Sequence, residues 1–336
     1  EGETLALQKI SQENLELKQA VKRRTSELEY KNQELEIEAA LERVRAVAMS
    51  MKKPDDMLDV CQVIADQLKA FGVAHIRNVQ TAIIDEEKGH YLCYQYFPAY
   101  DKTVVELTEY FKSPVEHEMV RQMLASKDGH FIGSIQGKAL REFADHRKEE
   151  NHFPDPLLDQ SKELSYCFLS IGEGGLGLSL YDALTQEVLH LFKRFHQVFT
   201  LAYRRFLDIQ QAEAQAREAK IEAALEKVRS RSMGMQNSGE LQEVIKVVFE
   251  QFRVLKIPIE HTGFIMDNQE REDMNIWLAD ENQVHAQITF PYFDSPHWNS
   301  FLEAKAKGKD FFSNLLDFET KNRFYKKLFN YIPDLP

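Results

Sequence analysis

The sequence predicts an α+β protein built from two copies of one module, each an antiparallel sheet flanked by helices, with long helices preceding and joining the copies. Three observations carry this. First, a stretch recurs: Ile37 to Met51 reads IEAALERVRAVAMSM and Ile221 to Met235 reads IEAALEKVRSRSMGM, ten of fifteen positions identical at a spacing of 184 residues. Second, each copy closes a polar, helix-favouring run and precedes a new globular pattern. Third, the pattern after the first copy runs helix, hairpin, strand, helix, strand, hairpin, helix, which implies an antiparallel sheet with helices against it.

The first element, residues 1–53, has no Pro and no Gly after Gly2. Leu7, Ile10, Leu17, Val21, Leu28 and Leu35 fall on a and d positions of one heptad frame, the seam of a parallel coiled-coil homodimer. Asn14 occupies an a position, where a buried Asn pairs with its symmetry mate and fixes register at some cost in stability. Arg24 and Lys31 fall on d and loosen the middle. From Ile37 the apolar series Ile37, Leu41, Val44, Ala48, Met51 is out of phase with that frame, a break that changes the local winding. Leu225 and Val228 repeat it.

Pro54 restarts the chain, with Asp55 and Asp56 where a helix N-terminus favours negative charge. A helix to about Phe71 turns Met57, Val60, Cys61, Ile64 and Leu68 to one side. Cys61 reads as a small buried hydrophobe rather than a reactive thiol. Arg77 to Asp85 and His90 to Phe97 form a hairpin across Glu86-Glu87-Lys88-Gly89, and Thr103 to Phe111 is a third strand. Ser113-Pro114 opens a helix to about Ser126, His130 to Ile135 is a strand, and Ala139 to Glu150 a charged helix. Ser165 to Ile171 and Leu176 to Tyr181 are strands around Gly172-Glu173-Gly174-Gly175. Gly172, Gly174 and Gly177 match G-x-G-x-x-G, but that motif binds a dinucleotide only where it turns a strand into a helix; here it turns strand into strand.

From Thr185 to Gln236 no Pro and no Gly before Gly234 interrupts one helix of about 50 residues. Its first half carries a broad apolar stripe, whereas beyond Phe206 the inner positions thin to Ile209, Ala212, Ala216 and Ala219. A second module follows: helix from Leu241 to Leu255, strands at Gly263 to Asp267 and Met274 to Leu278. Pro291 to Pro296 then parallels Glu109 to Pro114, and Ile332-Pro333-Asp334 parallels Phe153-Pro154-Asp155.

Composition bounds the function. The 336 residues, 43% hydrophobic, hold two cores. A net charge of −12, with Lys and Arg alternating with Glu along helices, excludes nucleic-acid binding. Three cysteines without a CxxC pair fit a reducing compartment. No apolar run approaches the roughly 18 residues needed to cross a bilayer, and no signal peptide opens the chain. The expectation is a soluble, cytoplasmic chain, or the cytoplasmic part of a membrane receptor, without membrane contact of its own. Starting at Glu1, it reads as a piece of something longer. No catalytic or metal constellation emerges: His146 and His152 are six apart and read as surface residues, and nucleophile-elbow and phosphate-loop motifs are absent. No cofactor is expected. Aromatic residues on two strands, Tyr94 and Tyr96, Tyr166 and Phe168, are candidates for lining a pocket, against the plainer reading as core.

The closing pattern LGLSLYDALTQEVLHLFKRFHQVFTLAYRRF, Leu176 to Phe206, resembles the end of a GAF domain: a GxLxL strand, then a Thr-x-Glu start to the last helix. The run from Phe206 to Met235 resembles linkers of bacterial signalling proteins that string GAF-type modules ahead of a histidine kinase or cyclase. The resemblance implies residues 1–53 as a coiled-coil signalling helix, 54–207 as a GAF-like sensory domain, 208–237 as a linker and 238–336 as a second, C-terminally truncated GAF-like domain. It further implies a parallel homodimer, a small-molecule ligand in some members, and an output domain elsewhere in the full-length chain. Signatures of cyclic-nucleotide or bilin binding are missing. The expected function is therefore the sensory and relay region of a dimeric receptor, of sensor histidine kinase type, not itself an enzyme. The alternatives are a ligand-free dimerisation spacer and the regulatory region of a nucleotide cyclase.

Overall fold

The computed structural model describes residues 2–125, 129–266, 273–280 and 288–332, the side chains of 2–11, Ser238 and Met266 excepted. The chain divides into two compact units, Glu1–Gln211 and Ala212–Pro336.

In the first unit, helix α1 (Gly2–Met49) is followed by one turn, Pro54–Asp56, and by α2 (Met57–Ala70). The Asp56 carboxylate accepts from the backbone N–H groups of Lys52 at 2.7 Å and Lys53 at 3.1 Å, closing the corner. Then come β1 (Ile76–Asp85), β2 (His90–Phe97), β3 (Lys102–Thr108), α3 (Pro114–Leu124), β4 (His130–Gln136), α4 (Gly137–Glu149), α5 (Pro156–Gln160), β5 (Glu163–Ser170), β6 (Gly174–Leu180) and α6 (Gln186–Met233). The strands form one antiparallel six-stranded sheet in the order β3-β2-β1-β6-β5-β4. Chain ends meet at its centre, because β1 pairs with β6. The architecture is thus α+β, with the antiparallel sheet and long helices expected. The Gly-rich stretch is a strand-to-strand turn with Gly172 at φ +108°, and α6 is one uninterrupted helix of 48 residues.

Each face of the sheet carries its own core. On one, α1, α2 and the first half of α6 pack Val44, Val60, Ile64, Leu68, Phe192, Phe195 and Phe199 against Val79, Tyr94, Tyr96, Leu176 and Leu178. On the other, α3, α4 and α5 pack Met119, Met123, Leu140 and Leu158 against Tyr91, Cys93, Tyr166 and Phe168. A sheet covered on both sides buries almost every residue of its middle strands, as β6 does throughout.

This packing shifts one expected boundary. The module was expected to begin at residue 54, yet Ile37, Ala40, Leu41, Val44, Ala48 and Met51 belong to the same core as α2 and α6. Arg194 of α6 ties to Glu34 at 3.0 Å and Glu38 at 2.7 Å on α1. The phase break at Ile37 therefore has a physical cause: there α1 stops presenting its apolar stripe to solvent and turns a new stripe onto its own domain. Two further elements differ from expectation. The third strand ends at Thr108, with a single turn at Tyr110–Lys112, and the short helix α5 was not anticipated.

The second unit holds α7 (Leu241–Val254), β7 (Thr262–Met266), β8 (Met274–Ala279), β9 (Ile288–Phe290), α8 (Pro296–Ala306) and α9 (Phe318–Tyr331), with an antiparallel sheet β7-β8-β9. It repeats the two-faced plan: Ile245 and Phe249 of α7 pack with Ala279, and Trp298, Phe324 and Leu328 pack with Met274 and Ile276. The Ser-Pro parallel appears as a shared cap. Ser113 accepts from the Glu116 N–H to start α3, and Ser295 from the Trp298 N–H to start α8. Asp267, Pro333 and Asp334 lie outside the described residues.

Candidate functional site: a polar cavity on the sheet face opposite the long helices

A β-bulge begins the site. Ile76 pairs with Leu180 and Asn78 with Ser179, leaving Arg77 as the extra residue. A bulge re-aims side chains, and both Arg77 and Asn78 serve the face covered by α3, α4 and α5. There Arg77, Gln80, Tyr91, Cys93, Gln95 and Ser179 from the inner strands, Tyr166 and Phe168 from β5, and Glu116, Met119 and Arg147 from the covering helices line a cavity of about 50 Å³.

Around it runs a hydrogen-bonded chain of buried polar side chains. Arg77 donates from Nε to Asp155 at 2.7 Å and from Nη1 to Asn78 at 3.3 Å. Asn78 donates to Gln80 at 2.5 Å and Gln95 at 2.8 Å, and Gln95 donates to Glu106 at 2.6 Å. Glu106 also accepts from Arg147 at 3.1 Å, stands 3.2 Å from His152 Nδ1, and accepts from the Phe153 N–H. Asp155 accepts from Tyr100 at 2.9 Å and Tyr181 at 2.6 Å while capping α5. One network thereby ties β1, β2 and β3 to the segment 150–155.

The electrostatics follow from this geometry. Burial pushes the Glu106 carboxyl up, but the hydrogen bond with His152, the Arg147 charge and the Phe153 N–H outweigh it and hold it at about 2. Asp155 is likewise lowered: Arg77 and the Tyr181 and Tyr100 hydroxyls overcome its burial. Glu116 goes the other way, raised chiefly by burial against the opposing charge of Arg147. Three atoms in this cluster have no hydrogen-bond partner among the described residues: Arg77 Nη2, Arg147 Nε and Glu116 Oε2. Leaving such a group buried and unpaired costs about 1–3 kcal/mol, so this cavity holds polar capacity that the fold itself does not use.

The residues singled out from sequence divide between two faces. Tyr166 and Phe168 line the cavity, whereas Tyr94 and Tyr96 face the long helices. Period two explains it: Tyr91, Cys93 and Gln95 share one side of β2 and Tyr94 and Tyr96 the other. His152, read as a surface residue, is a correction, since its side chain is 5% exposed and bonded into the network. Arg77, Glu106, Glu116, Arg147 and Asp155 were missed altogether. The one signal for them was the polar set Arg77, Asn78 and Gln80 crowded into the first half of a strand. Cys61 is buried as expected, and its thiol is pushed up to about 12 by burial.

On α1, Leu17, Val21, Leu28 and Leu35 are 57–67% exposed, and Asn14 is exposed as well; the Leu7 and Ile10 side chains lie outside the described residues. Leu41 and Val44, placed in the linker from sequence, are core residues. In the second copy Leu225 is 49% exposed, against 6% for its counterpart Leu41, and Val228 is half-buried. Ile209, Ala212, Ala216 and Ala219 are all exposed. Among the described residues no helix is long and apolar enough to cross a membrane, and no three His, Cys, Asp or Glu side chains are grouped to hold a metal ion. No protein-family model matches the chain, and no curated protein matches it.

Proposed function

We propose that the chain is the sensory and relay region of a dimeric bacterial signalling receptor, of sensor histidine kinase type, in which GAF-like modules pass a ligand- or partner-induced change along coiled-coil helices to an output domain. One observation carries this reading: the sheet that lines the polar cavity on one face is packed on the other by both α1 and α6, the helices that enter and leave the module. A shift of β1, β2 or β5 at the cavity is felt by Val44 on the way in and by Phe195 and Phe199 on the way out, since close-packed interiors transmit strain. Beyond Phe206 the Ala212, Ala216 and Ala219 seam buries little area, so two packings of a paired linker differ by little. Allosteric coupling of about 1–3 kcal/mol suffices to choose between such states. The exposed stripe Leu17, Val21, Leu28, Leu35 is the surface on which a second copy pairs in parallel.

The ligand-free spacer is the second reading, favoured by the small cavity: about 50 Å³ is well under the roughly 300–1,000 Å³ of pockets for drug-sized ligands. Replacing Ala212, Ala216 and Ala219 with Leu in the full-length protein separates the two. Relay requires the output to lock in one state; an output that still responds normally to its stimulus leaves the spacer.

A further inference from the structure

The cavity's chemistry narrows what it takes, and the following rests on the sensory reading of the first unit. We propose that the cavity is a binding site for a short monocarboxylate of two or three carbons, its carboxylate held between Arg77 and Arg147 with Glu116 as a third hydrogen-bond donor.

Arg77, Glu116 and Arg147 are 3%, 5% and 8% exposed, and each leaves one polar atom unpartnered. Neither guanidinium is free to swing away. Arg77 is anchored by Asp155 and Asn78, and Arg147 by Glu106, so their remaining N–H groups are fixed donors of the kind that recognise carboxylates. The two guanidiniums also repel each other, since after burial the Arg147 charge is the largest influence weakening the protonation of Arg77. A shared anion relieves that repulsion.

Ligand charge follows from the neighbours. Glu106 and Asp155 are held ionised and already answer the two guanidiniums, so each charge a ligand brings is held by hydrogen bonds alone, and a dianion such as phosphate doubles that burial cost over a monoanion. Burial favours the neutral form of the Glu116 carboxyl, the form in which its unpartnered Oε2 donates an O–H to a bound carboxylate. Size follows from the volume. About 50 Å³ is a third of the roughly 150 Å³ cavity that accepts benzene, which excludes nucleotides, bilins and haem. Met119, Phe131, Leu164 and Phe168 give the remainder an apolar wall suited to a methyl or ethyl tail. In the second unit Trp298, a buried indole, stands three residues after the equivalent Ser cap, in place of Glu116.

Isothermal titration of the whole chain with sodium acetate and sodium propionate, at constant ionic strength, tests the assignment. One saturable site per chain is expected, with phosphate, glycine and methylammonium chloride at least tenfold weaker. Arg147→Lys, which removes the Nε donor and the planar fork, should weaken acetate at least tenfold. Glu116→Gln, which keeps an N–H donor and the shape, should leave it within about threefold. The assignment falls if neither carboxylate binds at 10 mM, if glycine binds more tightly than acetate, or if acetate binding is unchanged in a folded Arg147→Lys variant. Should that variant not fold, the wild-type panel and Glu116→Gln still decide. Carboxylate binding without any change in full-length output would leave the site standing and remove the relay; failure to bind would remove the site and leave the linker test untouched.

Discussion

Replacing Glu106 with Gln removes the most heavily engaged charge in the network while keeping its shape. The Glu106 side chain is 9% exposed, and it is bonded to Gln95, Arg147 and the Phe153 N–H and close to His152. Its carboxyl sits at about 2 in the folded chain against an ordinary 4.5. A difference of about 2.5 pH units at 1.36 kcal/mol each makes the charged form worth about 3 kcal/mol to the fold. Because the folded value is the lower one, that stability is fully present above the unfolded value of 4.5 and is lost as pH falls towards 2, with about 2 kcal/mol gone by pH 3. At pH 7 the variant should lose about 3–5 kcal/mol, since Arg147 is left buried without its partner. Urea unfolding of both proteins from pH 7 to pH 3 reads the effect. The gap between them should narrow by about 2 kcal/mol as the pH falls, other carboxylates cancelling in the comparison. A gap that stays constant over that range would refute the account of Glu106 as an ionised, buried partner of Arg147.

Three other outcomes are expected. Val21→Asp with Leu28→Asp should raise the dissociation constant of the proposed dimer by at least about 100-fold, since each apolar side chain contributes roughly 1.5–3 kcal/mol when buried; unchanged sedimentation would place the pairing surface elsewhere. Gly174→Ala drives a Cβ into the backbone carbonyl of Ala82 on the neighbouring strand, where no side chain can yield, and should cost about 1–3 kcal/mol as a lower urea midpoint with unchanged slope. Cys61, Cys93 and Cys167 are all buried free thiols, with Cys61 and Cys167 pushed up to about 12 by burial. A disulfide reagent should leave the native chain unlabelled and modify all three once urea unfolds it; rapid labelling of the native protein would contradict that burial.

Local pattern located the secondary structure well because it is a property of neighbours in sequence. Runs of strand-favouring residues around the turn at residues 86–89 placed β1 and β2 within a residue, Ser113-Pro114 marked the start of α3, and the absence of Pro marked nearly the whole of α6. The two-stripe character of α1 was legible too, as a phase break at Ile37. What the new stripe faces was not, because heptad spacing records a periodicity and says nothing of the surface that meets it. The same spacing serves a partner helix or, as Ile37, Leu41 and Val44 do here, the core of the domain that follows.

The candidate site was nearly invisible for a related reason. Its charged members, Arg77, Glu106, Glu116, Arg147 and Asp155, come from β1, β3, α3, α4 and the start of α5, spread over 79 positions, and no short window contains two of them in a recognisable spacing. In sequence, Arg147 and His152 belong to a run of charges indistinguishable from a solvated helix face. The sequence by itself determined an α+β chain with a recurring helical stretch, an antiparallel sheet with helices against it and the strands on which Tyr166 and Phe168 stand. Only the tertiary structure decided that the charged end of α4 closes over the sheet, because the burial of Leu140 and Ala144 on one side of that helix carries Arg147 inward with them. There a bulge at Arg77 and the reach of Asp155 supply the partners that make so many buried charges tolerable.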